Sequence, residues 1–192
     1  MRQGPAQSTM LTPPMDVAQR ARRIRLLTLD VDGVLTDGRI YVNDDGSEFK
    51  AYSALDGQGI KMLQHAGIEV AWITGSNAAS VKHRALHLGV THVVLGASRK
   101  IGSWESLRAS LGIPAEACAH VGDDVPDVPL LTACGLAVSV PHAPISVRRH
   151  AHYVTHREGG AGAVREVAEL ILSAQDRLAA AESAHTSPAG GP

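Results

Sequence analysis

Four short segments carry side chains that could act together on a phosphoryl group. They are Asp30-Val31-Asp32-Gly33, Thr74-Gly75-Ser76, Lys100 and Gly122-Asp123-Asp124-Val125-Pro126-Asp127. Phosphoryl transfer needs an in-line nucleophile, a cation to neutralise non-bridging oxygens, and donors around the equatorial oxygens. A carboxylate can attack phosphorus to give an acyl phosphate that water then hydrolyses, which splits one hard step into two. Asp30 is the candidate nucleophile. Asp32, two residues on, could reach the leaving-group oxygen and serve as general acid and base.

Magnesium prefers oxygen ligands, retains waters and is usually held by one or two carboxylates plus substrate phosphate. Asp30 and Asp123 would supply those carboxylates. Asp124 and Asp127 share the Asp123 turn, so each is a candidate either to touch the metal or to orient its water from behind. The Thr74 hydroxyl and the Gly75 and Ser76 amides, at an expected helix N-terminus, would cradle an anion. Lys100, opening another helix, would neutralise both the phosphate and the crowded acids. Taken singly, an Asp-x-Asp-Gly run could be a calcium loop, a lone lysine a surface charge and Thr-Gly-Ser an N-cap. The further oxygen ligands and closing Glu of an EF-hand are absent, and the order acid pair, hydroxyl, lysine, acid cluster restricts the alternatives.

The surrounding pattern explains how these segments could meet. Apolar runs at Ile24 to Leu29, Val70 to Thr74, His92 to Leu95, Ala117 to Val121 and Leu136 to Val140 read as buried parallel strands. Helical spacing over Gly57 to His65, Ala78 to Leu88, Lys100 to Leu111 and Val125 to Ala133 alternates with them. This predicts an α/β fold, a doubly wound parallel sheet whose ligand crevice lies beyond the carboxyl ends of its strands. Arg39 to Val42 and Glu48 to Tyr52 flank a turn-rich Asn43-Asp44-Asp45-Gly46-Ser47, predicting a β-hairpin projecting beside the site as an edge element, a flap or an oligomer contact. Gly159-Gly160-Ala161-Gly162 leads into an amphipathic helix over Ala163 to Leu178.

The chain of 192 residues with 44% hydrophobic content is long enough for one core. We expect one domain over 24–182, an N-terminal extension over 1–23 and a disordered tail over 183–192. With 18 basic and 19 acidic residues the formal charge is -1, which gives no electrostatic reason to bind nucleic acid or an anionic membrane. Small-molecule partners are expected. Cys118 and Cys134 lack a CxxC spacing, which argues against a disulfide scaffold or thiolate zinc site and fits a reducing compartment. Residues 1–23 contain no apolar stretch suited to a signal peptide or membrane span, so a cytoplasmic location is expected. The ten histidines are scattered without an HExxH pattern, and no GxxxxGK[ST] motif occurs. His83 and His87, four apart on one predicted helix, read as an exposed face.

Asp30-Val31-Asp32-Gly33-Val34, Thr74, Lys100 and Gly122-Asp123-Asp124 resemble the four motifs of the haloacid dehalogenase superfamily of phosphatases. Leu35-Thr36-Asp37-Gly38, Leu55-Asp56-Gly57-Gln58-Gly59-Ile60 and Gly159 to Glu166 are similar to its capless branch, which contains the 3-deoxy-D-manno-octulosonate 8-phosphate phosphatases. The resemblance covers roughly residues 24 to 180. It implies that Asp30 is nucleophile and metal ligand, that Asp32 is acid-base residue and ligand through its backbone carbonyl, and that Asp123 is the third protein ligand to Mg2+. Thr74 and Lys100 would bind phosphate. It further implies a homotetramer assembled through the hairpin, with C-terminal residues helping to close a neighbour's site, and a role in supplying lipopolysaccharide precursor. Departures are Ser76 where the motif commonly has arginine, Leu55 where many members have a basic residue, and Arg99 in place of an acid or amide. They leave open another sugar-acid phosphate, such as a sialic acid or KDN 9-phosphate. A different class, a non-enzymatic phospho-accepting module, shares the residue types but places its acid pair and phosphorylated Asp in a different order.

Overall fold

The computed structural model describes residues 14–186. In chain order its principal elements are α1 (Met15–Ala21), β1 (Leu26–Leu29), β2 (Tyr41–Val42), β3 (Glu48–Phe49), α2 (Ala54–His65), β4 (Glu69–Ile73), α3 (Ala79–Leu88) and β5 (His92–Val94). They continue with α4 (Lys100–Ser110), β6 (Cys118–Val121), α5 (Val128–Ala133), β7 (Leu136–Ser139), α6 (Ile145–Arg148), β8 (Tyr153–Val154), α7 (Ala163–Ala174) and α8 (Leu178–Thr186). Six strands form one parallel sheet in the order β5-β4-β1-β6-β7-β8. β1 lies at its centre between β4 and β6, with Leu29 level with Trp72 and Val121.

Alternation along each strand sorts the core into two layers. Leu27 and Leu29, with Val70, Trp72, Ala119, Val121, Leu136 and Val138, face α1, α2, α3 and α7. Leu26, Ala71, Ile73, Cys118 and Ala137 face the opposite way, against Trp104 of α4, Leu130 and Leu131 of α5 and Val147 of α6. Helices therefore cover both faces, as a parallel sheet with no polar face requires. Thr28 and His120 are polar members of the second face; both are wholly buried and directly opposite each other in the β1–β6 register.

The hairpin forms as expected, with shorter strands: Tyr41 pairs with Phe49 and their rings stack at 5.0 Å. Three expectations change. The core begins before residue 24, because Val17 and Ala21 of α1 are completely buried in it. The C-terminal helix ends at Ala174, turns through Asp176 with φ 56°, and restarts as α8. Residues 183–186 belong to that last helix, whereas 1–13 and 187–192 lie outside the described residues.

The glycine-rich segments have packing roles. Asp56 of α2 accepts from the Gly162 and Arg165 amides, so its carboxylate caps the N-terminus of α7. Burial raises the Asp56 pKa despite those bonds. The Leu55 to Ile60 and Gly159 to Glu166 motifs are thereby two halves of one helix–helix contact, while Leu55 itself points outward.

Candidate active site

Asp30 follows β1 directly, its amide bonded to the Val121 carbonyl of β6, so the sheet delivers its carboxyl beyond the strand ends. Lys100, the first residue of α4, places Nζ 2.7 Å from Asp30 Oδ1 and 2.8 Å from Asp127 Oδ1. Asp127 Oδ1 also meets His120 Nε2 at 3.1 Å, and Asp127 Oδ2 accepts from the Asp123 and Asp124 amides at 3.2 and 3.4 Å. One buried carboxylate thus ties the lysine to the acidic turn. Asp124 is exposed, and its side chain caps the turn by accepting from the Val125 amide.

Oxygens of Asp30, Asp123 and Asp127 lie within 4.8 Å of one another. Their hydrogen bonds divide them. Asp127 is saturated by Lys100, His120 and two amides, whereas Asp123 Oδ1 is buried without a hydrogen-bond partner among the described residues. An orphaned buried carboxylate oxygen is costly unless a cation meets it. The donor set, hard oxygens with one left bare, fits magnesium.

Electrostatics agree. Burial first, then the charge of Asp127, pushes Asp30 up to about 7 against the pull of Lys100. Burial and Asp127 also push Asp123 up to about 7. Burial would raise Asp127 as well, but the bonds and charges of His120 and Lys100 outweigh it and hold that carboxyl at about 2. Lys100 resists burial because Asp30 and Asp127 raise its pKa.

A stability prediction follows. Asp30 and Asp123 keep protons to about pH 7 in the folded metal-free chain, whereas unfolded carboxylates release them near 3.8. Folding takes up protons between those limits, so the pair's contribution is full at the acid end and lost as pH rises through 7. Magnesium competes with those protons, so its gain in Tm will be small at about pH 5 and larger at about pH 8. Thermal melts with magnesium and with EDTA check this; equal gains at both pH values would contradict it.

The site opens into a cavity of about 480 Å³, within the usual range for small-molecule sites. Its lining includes Asp30, Asp32, Thr74, Gly75, Ser76, Lys100, Asp123 and Asp124, so the topology brings together all the expected site residues except Asp127, which is buried behind it. Thr74 is buried, and its Oγ1 accepts from the Ser76 amide at 3.0 Å. The expected cradle is modified accordingly: α3 starts at Ala79, so Gly75 and Ser76 precede the helix, and the Ser76 amide already has a partner.

Four residues enter that the motifs did not single out. Ile40, Glu48 and Lys50 form the hairpin side of the cavity, and Lys50 Nζ pairs directly with Asp32 Oδ1. The hairpin is therefore part of the cavity wall. His120 is the fourth; an apolar strand pattern conceals it. A side chain on Gly33 would be strained at φ +88° and would displace the Asp123 carboxylate, since a Cβ there would lie 2.0 Å from Asp123 Oδ2. A Cβ on Gly159 would lie 1.8 Å from the Gly33 carbonyl oxygen, so the C-terminal turn seats directly on the Asp30 loop.

Residues 92–166 match the haloacid dehalogenase-like hydrolase family model. The chain is 48% identical over 163 residues to the 3-deoxy-D-manno-octulosonate 8-phosphate phosphatase KdsC of Yersinia pestis, covering 85% of this chain and 87% of that protein. Identity to KdsC of Escherichia coli K12 is also 48%, over 164 residues, with 85% and 87% covered. The crystal structure of the Moraxella catarrhalis phosphatase, in complex with magnesium, phosphate and KDO, superposes with a TM-score of 0.86 at 40% identity. The match covers 89% of this chain and 98% of that one.

Proposed function

Because the chain belongs to the 3-deoxy-D-manno-octulosonate 8-phosphate phosphatase family of haloacid dehalogenase-like hydrolases, we propose that it cleaves that sugar-acid phosphate, releasing 3-deoxy-D-manno-octulosonate and phosphate. The observation that carries the chemistry is Asp30 on the cavity floor, with Lys100 against one oxygen and the bare Oδ1 of Asp123 beside it. Asp30 attacks phosphorus in line; the Asp30 Oδ–P bond forms as the bond from phosphorus to the sugar oxygen breaks. Asp32 gives its proton to the departing alkoxide, then takes one from water as that water attacks the acyl phosphate and restores Asp30. The Thr74 and Ser76 hydroxyls, the Gly75 amide and Lys100 would hold the phosphoryl oxygens, and Lys100 and Asp127 keep Asp30 aligned. Magnesium, held by Asp30, Asp123 and the Asp32 backbone carbonyl, would offset the negative charge of the phosphoryl oxygens. Asp124 and Asp127 shape the turn that presents Asp123.

The outer cavity, with Ile40, Glu48, Lys50 and Ser76, would receive the sugar acid. In this reading the enzyme is a cytoplasmic homotetramer. The exposed Ile40, Val42 and Phe49 of the hairpin support a subunit contact, and the free buried Cys118 and Cys134 support a reducing compartment. Among the described residues no helix is long and apolar enough to cross a membrane.

Phosphate release should be measured with and without magnesium from eight- and nine-carbon sugar-acid phosphates and from hexose phosphates. A strong magnesium-dependent preference for the eight-carbon substrate is expected. Preference for a nine-carbon 9-phosphate would keep the reaction and replace the substrate, and no turnover on any of them would overturn the enzymatic reading.

A further inference from the structure

His120 sits in the middle of the central sheet, on the strand next to the one that delivers Asp30, with no exposed surface. Its ring bridges two partners: Nδ1 lies 2.9 Å from Thr28 Oγ1 and Nε2 lies 3.1 Å from Asp127 Oδ1. A carboxylate that already accepts from Lys100 and two amides can only accept again, so Nε2 must carry a proton. The Thr28 hydroxyl holds the other ring nitrogen, accepting from Nδ1–H when its single proton goes to the Ala119 carbonyl 3.0 Å away and donating to Nδ1 otherwise; either way the contact fixes which nitrogen faces Asp127.

We infer that His120 is a positioning residue: it locks Asp127 in the orientation that simultaneously holds Lys100 against Asp30 and presents the Asp123 turn to the metal. Without that bond Asp127 keeps Lys100 and the two amides but loses the contact that braces Oδ1 from behind, so the carboxylate is less firmly oriented between the lysine and the Asp123 turn. The effect on chemistry passes wholly through other residues, because His120 lies behind Asp127 and outside the cavity. A purely structural histidine in this place would contribute to stability and leave metal affinity alone. This inference rests on the magnesium phosphatase reading of the site, and the wild-type chain tests that reading separately.

The test compares His120→Leu, which removes the donor, with His120→Gln, whose terminal amide can supply a donor where Nε2 stands. Magnesium-induced shifts in Tm and activity titrations are measured for both variants and for the wild type. Outer-sphere partners of metal ligands typically affect affinity by about 10–100-fold, so His120→Leu should raise the half-effective magnesium concentration by about that factor. It should lower kcat while substrate KM changes little, and His120→Gln should recover most of both losses. Unchanged magnesium affinity in folded His120→Leu, or equal loss in folded His120→Gln, would overturn the assignment. Should neither variant fold, nitrogen NMR of the wild type decides: an Nε2–H resonance that shifts on titration with magnesium supports it, and an unprotonated Nε2 or a resonance indifferent to magnesium refutes it. Wild-type turnover that is absent or indifferent to magnesium would count against the phosphatase reading itself, whatever the variants do.

Discussion

Asp30→Asn should stop phosphate release, with turnover falling on the order of 10⁴-fold or more, the scale seen when a covalent nucleophile is removed. A carboxamide keeps the shape and the acceptor oxygen but cannot form the acyl phosphate. The fold should survive the change. Asp30 is buried and its charge is unwelcome in the metal-free chain, as its rise to about 7 indicates, so a neutral isostere removes repulsion from Asp127. Lys100 keeps its second partner at 2.8 Å. The variant is therefore expected to match or exceed the wild-type Tm in EDTA and to lose much of the magnesium-dependent gain. Magnesium-dependent turnover surviving in a folded Asp30→Asn chain would exclude Asp30 as the nucleophile.

Lys100→Met should have the next largest effect, and it acts on stability and catalysis together. The ammonium is 4% exposed and lies between two carboxylates, so its removal leaves buried negative charge without compensation. Breaking one side of a buried ion pair costs about 3–5 kcal/mol. Losing a preorganised charge at the phosphoryl group costs about 10²-fold or more in kcat. The pH dependence identifies the cause. Without Lys100 the folded-state pKa values of Asp30 and Asp127 both rise, so protonation relieves the variant and its stability deficit shrinks toward acid pH. Chemical denaturation across neutral and mildly acid pH measures this. A deficit independent of pH would mean that lost packing of the lysine stem, rather than lost charge, destabilises the variant.

Much of this site is legible in the residues because parallel sheets impose a simple rule. An apolar run that ends in a polar residue places it at the carboxyl edge of the sheet, and Asp30, Thr74 and the Gly122 turn all obey it. The hairpin was legible from its turn residues, but the reach of Lys50 to Asp32 was not, because that contact depends on how the hairpin folds back over the sheet. His120 reads as an apolar strand position; only the neighbouring Thr28 and the turn that returns Asp127 beneath the sheet edge reveal its polar partners. β8 escapes detection because a two-residue strand has no period to recognise. α1 is hidden for another reason: its seven residues include Asp16, Gln19 and Arg20, and only burial of Val17 and Ala21 marks it as part of the core. The break between α7 and α8 depends on one left-handed residue, Asp176, within an otherwise continuous helical pattern.

The central position of β1 also sets an order in time. Its nucleophile is synthesised early, but Lys100, the Asp123 turn and the Gly159 cover arrive in succession, the last only when most of the chain has left the ribosome. Until β6 and the Asp123 turn are made, Asp30 lies on a strand with at most one sheet neighbour and lacks the second carboxylate of its site. A chain truncated before the Asp123 turn should therefore show neither magnesium binding nor turnover, so competence on this topology waits for the second half of the chain.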